Sequence, residues 1–275
     1  MKVKTLLIII AVIAFACIVI PPAVSENTEL RSGIGNALAG NLIEQKKYDL
    51  AVMTTDWVLE ADSSNLEARE LKVDALSGLE EYELASEMQK YIIADKGASA
   101  DKSDLYRLAE LDLKSGNLAE CVEAYEVIIS MYDLPPADAV TAGSDEVSCS
   151  YYEKGSVLLK LQRYDEAIAC YNSVIEANPS DSKAWIGLGD AYLFKSLYDQ
   201  GQLKDMYKEL GKTPSERDSS VKRMDISSFE SHRKAVEAYQ KAVEIDPLVY
   251  PEVAAKIMGS YEKTVSSYQD ILENL

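Results

Sequence analysis

Residues 164–192 read YDEAIACYNSVIEANPSDSKAWIGLGDAY. Ala167, Tyr171 and Val174 fall at i, i+4 and i+7, the spacing of one helical face. Beyond Pro179, the residues Trp185, Leu188, Gly189 and Tyr192 form a second stripe of the same kind. Proline has no N–H to donate to a preceding turn, so Pro179 separates two helices. The small residues Ala167 and Gly189 let antiparallel helices approach closely, and the bulky Tyr171 and Trp185 fill the space beside them.

The pattern recurs along the chain. Tyr48–Ala61 and Tyr261–Asn274 align with Tyr164–Ala177 without gaps, and Ala61–Leu76 aligns with Ala177–Tyr192. Ala51 to Ala85 spans 34 residues, Tyr151 to Trp185 also 34, and Ala167 to Ala235 spans 68. One helix hairpin cannot bury its apolar face alone, so a repeat of this period implies neighbours that stack on it. The expected fold is all-α: an α-solenoid of stacked antiparallel helix hairpins forming a curved superhelix.

Trp185-x-x-Leu188-Gly189-x-x-Tyr192, followed by Ala235, Tyr239, Ala242 and Pro247, resembles the tetratricopeptide repeat position by position. Tyr151, Gly155, Leu158, Ala167, Tyr171, Val174 and Pro179 resemble another copy. The resemblance covers nearly all of residues 26–275 and implies copies near 32–65, 66–99, 102–135, 148–181 and 182–249. It also implies a C-terminal capping hairpin over 250–275, with Val265, Tyr268 and Ile271 on its second helix. Three residues depart from the pattern. Lys154 stands where the family has Leu, so its stem must run along the apolar surface. Asp112 stands at an apolar position, which suggests a helix shifted by one residue so that Leu108 and Leu111 form the stripe. Gly97 replaces the terminal proline of its copy.

Two stretches break the pitch. Residues 133–150 read as an exposed loop containing Cys149. Residues 193–234 add a full period without the small-then-aromatic pattern; they read as an extended hairpin, with a degenerate repeat as the alternative.

Of 275 residues, 47% are hydrophobic, enough for a packed core. Against 28 Lys and Arg stand 46 Asp and Glu, a formal charge of −18 that repels nucleic acid. Paired carboxylates are unavoidable in so acidic a chain and are no sign of acid–base chemistry. One histidine, His232, excludes most His-based catalysis and His-rich metal sites, and its position near a helix start reads as surface. Gly33-Ile-Gly35 lacks both a preceding strand and a following Lys-Ser/Thr, so it reads as helix packing, not a phosphate loop. No catalytic, cofactor or metal constellation is expected. Beyond Cys17 the cysteines are Cys121, Cys149 and Cys170, an odd set that allows one disulfide, with Cys149 as a partner, or none.

Residues 1–25 begin with Lys2 and Lys4, run apolar from Leu6 to Ile20, and end in Pro21-Pro22-Ala23-Val24-Ser25. This is either a signal peptide cut before Glu26 or an N-terminal membrane anchor. Either reading places the remainder outside the cytoplasm, secreted or tethered, with the membrane touched only by this segment.

The resemblance implies a non-enzymatic protein-interaction scaffold whose first helices line a concave groove for a peptide or partner helix. By helix position, that groove would present Glu67, Glu70 and Asp74; then Tyr152, Ser156, Leu159 and Lys160; then Lys183, Ile186, Asp190 and Phe194. It is acidic and partly aromatic, which favours a basic or amphipathic peptide. The family subset that clamps a C-terminal carboxylate uses Lys and Asn there, which this groove lacks. The alternative function is a structural or assembly factor of the cell envelope, acting by self-association or subunit stacking.

Overall fold

The computed structural model describes residues 27–132, 145–210 and 219–273. The N-terminal segment read as a signal or anchor, and most of the expected 133–150 loop, lie outside these residues. Among the described residues there is no strand, and no helix is long and apolar enough to cross a membrane. The chain divides into two compact units, the first ending at Asn117 and the second beginning at Leu118.

The first unit holds α1 (Thr28–Glu44), α2 (Tyr48–Ala61), α3 (Leu66–Gly78), α4 (Tyr82–Lys96) and α5 (Lys102–Ser115). Each packs on the next, and α1 also packs on α3. The second unit holds α6 (Leu118–Ser130), α7 (Asp145–Lys160), α8 (Tyr164–Ala177), α9 (Ser182–Leu210), α10 (Ser219–Ile245) and α11 (Tyr250–Glu273). Here α7 packs on α6, α8 and α9; α9 packs on α8, α10 and α11. Both units are thus stacked helix hairpins, as the sequence predicts.

First and second helices of a hairpin start differently. The first helices α1, α3, α5 and α9 are capped by Asn27, Asn65, Asp101 and Asp181, whose side chains accept backbone N–H bonds from Leu30, Ala68, Asp104 and Ala184. The second helices α2, α4 and α8 have no side-chain cap. They follow a tight turn instead. Lys46, Glu80 and Gln162 each stand two residues past a first helix with φ of 56°, 62° and 59°. The next backbone N–H, of Lys47, Glu81 or Arg163, bonds back to Leu42, Leu76 or Leu158 at 2.8, 3.0 and 2.9 Å.

Rings lying on glycines set the helix spacing. Tyr171 is fully buried and covers Gly155 of α7 and Gly187 of α9. Tyr239 of α10 covers Gly189, where a Cβ would sit 2.5 Å from its ring. Tyr48 covers Gly78, and Val58 closes on Gly35. The close approach foreseen at Gly189 is therefore present, but its filler is Tyr239, while Tyr171 takes Gly155 and Gly187.

Several details correct the sequence reading. Asp145–Ser150 are helical, so Cys149 lies exposed on α7 and not in a loop. Cys121, Cys149 and Cys170 are all free thiols. Within 193–234 the described residues continue α9 to Leu210 and open α10 at Ser219, and the two helices form a long packed pair. Its arms meet through small polar groups: buried Ser228 donates to the carbonyl of Ser196, itself buried, at 3.1 Å. Residues 250–273 form one continuous helix, not a capping hairpin, with Gly259 and Ser260 inside it. Asp112 is fully buried beside Leu105, Ala109 and Leu111, so α5 is not shifted. The buried carboxylate is held by the Ser86 hydroxyl, with Lys90 Nζ 3.8 Å away. Lys154 does reach out of the core, to Glu126 at 2.8 Å. Gly97 ends α4 with φ +51°, a conformation open to glycine and costly for other residues. His232 is half-buried against the Tyr261 ring, edge to face at 5.2 Å, because α11 packs over its side of α10.

Candidate functional site

First helices carry the expected binding face, and each unit presents part of it. In the first unit Glu67, Glu70 and Asp74 all stand on α3. Each is already engaged. Asn36 of α1 donates to Glu67 at 2.7 Å. Lys96, at the end of α4, pairs with Glu70 at 3.1 Å and with Asp104 at 2.7 Å. Arg107 of α5 pairs with Asp74 at 2.5 Å. The acids of α3 are thereby matched by cations or amides from neighbouring helices. Lys96 accordingly keeps its proton above the ordinary lysine range, through its bond to Asp104 first, against a smaller desolvation penalty.

In the second unit the face is built by α7, α9 and α11. Tyr152 of α7 is half-buried, its ring edge-on to Tyr171 at 5.5 Å. Ser156 lies one turn on along α7. Asp190 of α9 accepts a hydrogen bond from the Tyr239 hydroxyl at 2.6 Å and another from Lys256 of α11 at 2.7 Å. Lys256 also pairs with Glu252 at 3.0 Å. Burial opposes the charge on Lys256, but the bonds to Asp190 and Glu252 outweigh it and raise its pKa above the ordinary value. Tyr152 is pushed up by burial and by the nearby carboxylates, Glu153 foremost.

Phe194 is 44% exposed on α9, and Lys160 and Lys183 are exposed at helix ends. Ile186 is a correction. It is only 8% exposed and belongs to the core with Ala235, Tyr239, Ala242 and Val253, so it offers the expected groove almost no surface. The packing of α10 and α11 on α9 covers it. Sequence reasoning placed the acids but missed their partners. Arg107 lies 33 residues from Asp74, and Lys256 lies 66 from Asp190. The first separation is close to one repeat, which was the available signal. The second crosses the 193–234 extension, and no spacing rule pointed to it.

In the second unit this face carries an exposed Phe194 and a half-buried Tyr152 together with the Asp190–Lys256–Glu252 pairings. Among the described residues no group of three His, Cys, Asp or Glu could hold a metal ion.

Comparison with known proteins agrees with this architecture. Residues 148–181, which are α7 and α8, match the tetratricopeptide repeat family. The chain is 25% identical over 220 residues to the Hsp70-Hsp90 organizing protein of Triticum aestivum, covering 74% of this chain and 33% of that protein. It is 32% identical over 96 residues to Hsp70-Hsp90 organizing protein 3 of Arabidopsis thaliana, covering 34% of this chain and 17% of that one. It therefore spans a third or less of the length of these curated relatives. Among solved structures, YrrB, described as a TPR protein with an unusual peptide-binding site, superposes with a TM-score of 0.50 at 19% identity, over 82% of this chain and 91% of that one. A MamA structure superposes with a TM-score of 0.50 at 15% identity, over 80% and 93%. At these identities the likeness to the solved structures is one of fold.

Proposed function

We propose that the chain is a non-enzymatic scaffold that holds a peptide or a helix of another protein on the first-helix face, chiefly that of the second unit. Tetratricopeptide repeats mediate protein–protein interactions, and residues 148–181 carry such a repeat. The observation that carries the reading is the pairing of aromatic anchors with satisfied charges. Tyr152 and Phe194 offer apolar surface, while Asp190, Lys256 and Glu252 stand beside them already bonded to one another. A purely basic peptide would have to displace internal cations to reach those acids. An amphipathic segment needs no such exchange, because its apolar side chains bind the aromatics and its polar edge meets a balanced rim. The curated relatives are named for organising Hsp70 and Hsp90, which supports a protein partner here as well, though not those two. We further propose that residues 1–25 export the body or tether it, so that the partner is met outside the cytoplasm.

Cross-linking in intact cells, then mass spectrometry of the captured complex, tests the reading. A stoichiometric partner is expected, its capture reduced severalfold by Phe194→Ala and Tyr152→Ala with unfolding curves nearly unchanged. Capture that is indifferent to both substitutions would remove the face from consideration. Sequencing the N-terminus of the mature protein decides between cleavage before Glu26 and retention.

A further inference from the structure

Helix α1 is packed on one side only. Gly35 lies against Val58 of α2, and buried Asn36 donates to Glu67 of α3 at 2.7 Å. The opposite side carries Leu30, Gly33, Ile34, Ala37 and Leu38, at i, i+3, i+4, i+7 and i+8. Leu30, Ile34 and Leu38 are 48%, 44% and 48% exposed, and a Cβ on Gly33 would meet nothing within 4 Å. Extended to Asn41, the stripe runs for roughly 16 Å, about three turns.

Charge avoids this side. The twelve residues Ser32–Ile43 include no Lys, Arg, Asp or Glu, in a chain of which 27% is charged. Arg31, the nearest cation, turns away: its guanidinium donates to the Trp57 carbonyl at 2.8 Å and lies 4.7 Å from the Trp57 ring centre. The outermost helix of a repeat stack needs a polar outer face if water is to cover it. From Leu30 to Leu38, α1 has none.

The sequence just before α1 says what covers it. Thr28, which opens α1, lies eight positions beyond Ile20, the end of the apolar run Leu6–Ile20. Eight residues fully extended reach at most about 28 Å. With that run held in a bilayer, α1 begins near the headgroups, and the tether keeps its effective concentration there high. Three half-exposed aliphatic side chains then suffice to hold it down. They do not suffice for a second copy: a stripe of about 16 Å by one helix diameter of about 10 Å is a small part of the roughly 800 Å² per partner in a stable interface. Nor does Leu6–Ile20 itself serve as the cover in water, because it is apolar on every side and would leave its other sides wet. Glu29 and Glu44 bound the stripe and the chain is acidic, so the surface it suits is electroneutral. We infer that α1 lies along a zwitterionic lipid surface, with Leu30, Ile34 and Leu38 in the headgroup boundary, so that the first unit is docked beside its anchor. This rests on the tethering reading of residues 1–25, with the segment retained.

The test uses the full chain reconstituted in phosphatidylcholine vesicles. Cys17→Ala and Cys149→Ser leave Cys121 and Cys170, both buried, as the native thiols. One fluorophore is then placed on Ile34→Cys, on Leu38→Cys, or on Glu110→Cys, an exposed position of α5. A nitroxide-bearing phosphatidylcholine is expected to quench the labels at 34 and 38 at least about twofold and to spare the label at 110, as for a helix sunk about 5–10 Å into the boundary. Raised salt is expected to leave the quenching unchanged, because the contact is apolar. Flotation of the vesicles reports separately on the tether. Chain that floats while the labels at 34 and 38 quench no more than the one at 110 overturns the inference and leaves the tether standing. Chain that fails to float removes the tether, and the inference with it. Labels at 34 and 38 that the lipid quencher misses, yet that become shielded from an aqueous quencher as protein concentration rises, would overturn it in favour of a second copy.

Discussion

Glycine and tyrosine decide the packing one contact at a time. Gly189 gives the Tyr239 ring its place, so Gly189→Leu should overpack α9 against α10 and cost about 1–3 kcal/mol in urea unfolding. Tyr171→Ala removes a fully buried ring that touches glycines on two helices, and should cost roughly 3–5 kcal/mol by the same measurement. The small residues at 167 and 189 and the large one at 171 could be read from spacing, because the helical period places them on facing stripes. Which ring meets which glycine could not, since Gly187 and Gly189 differ only by a rotation about the α9 axis. Asp112 shows the same limit. A carboxylate at a core position looks like a register error until Ser86 and Lys90 of α4 are seen beside it.

At the scale of elements, the turn from first to second helix is the repeated device. Gln162 pays for this turn with a left-handed backbone that glycine adopts freely. Gln162→Gly should therefore raise stability by up to about 1 kcal/mol, seen as a higher melting temperature, and Glu80→Gly should do the same. The hairpin order was legible because apolar stripes and prolines agreed. The fate of residues 250–275 was not. The stripe of Val265, Tyr268 and Ile271 matches a second helix, yet Gly259 and Ser260, where a turn would fall before it, stay helical. The α10–α11 contact brings its own pH dependence. Both ring nitrogens of His232 are buried without a hydrogen-bond partner, and burial lowers its pKa. Its neutral form is favoured only in the fold, so stability is complete above the unfolded value near 6.5 and falls as pH drops below it. Acid melting curves should show this loss, and His232→Gln should flatten it.

For the molecule as a whole, a formal charge of −18 overstates the field available for steering. Glu70, Asp74 and Asp190 are committed to Lys96, Arg107 and Lys256. Their side-chain identities were legible, but their neutralisation was not, since it depends on partners one repeat or more away. The alkaline limit follows from the core. Burial raises the pKa of Tyr171 and Tyr239 above the ordinary 10.0. Unfolded tyrosines lose their protons near pH 10 while these two keep theirs, so the unfolded state binds fewer protons and stability falls as pH rises beyond 10. Lys256, raised in the fold, adds to the loss above its own unfolded value of 10.5. Denaturant titrations between pH 9 and 11.5 should show a declining midpoint, with a shallower slope in Tyr171→Phe.

The three thiols of the described residues differ in reach. Cys149 is open to solvent, while Cys121 and Cys170 are buried and Cys170 is pushed up to about 11, chiefly by desolvation. A maleimide reagent would thus mark one position promptly and the other two only when the helices around them part. The slow phase of such labelling would clock how often each hairpin opens, making the protein its own gauge of breathing.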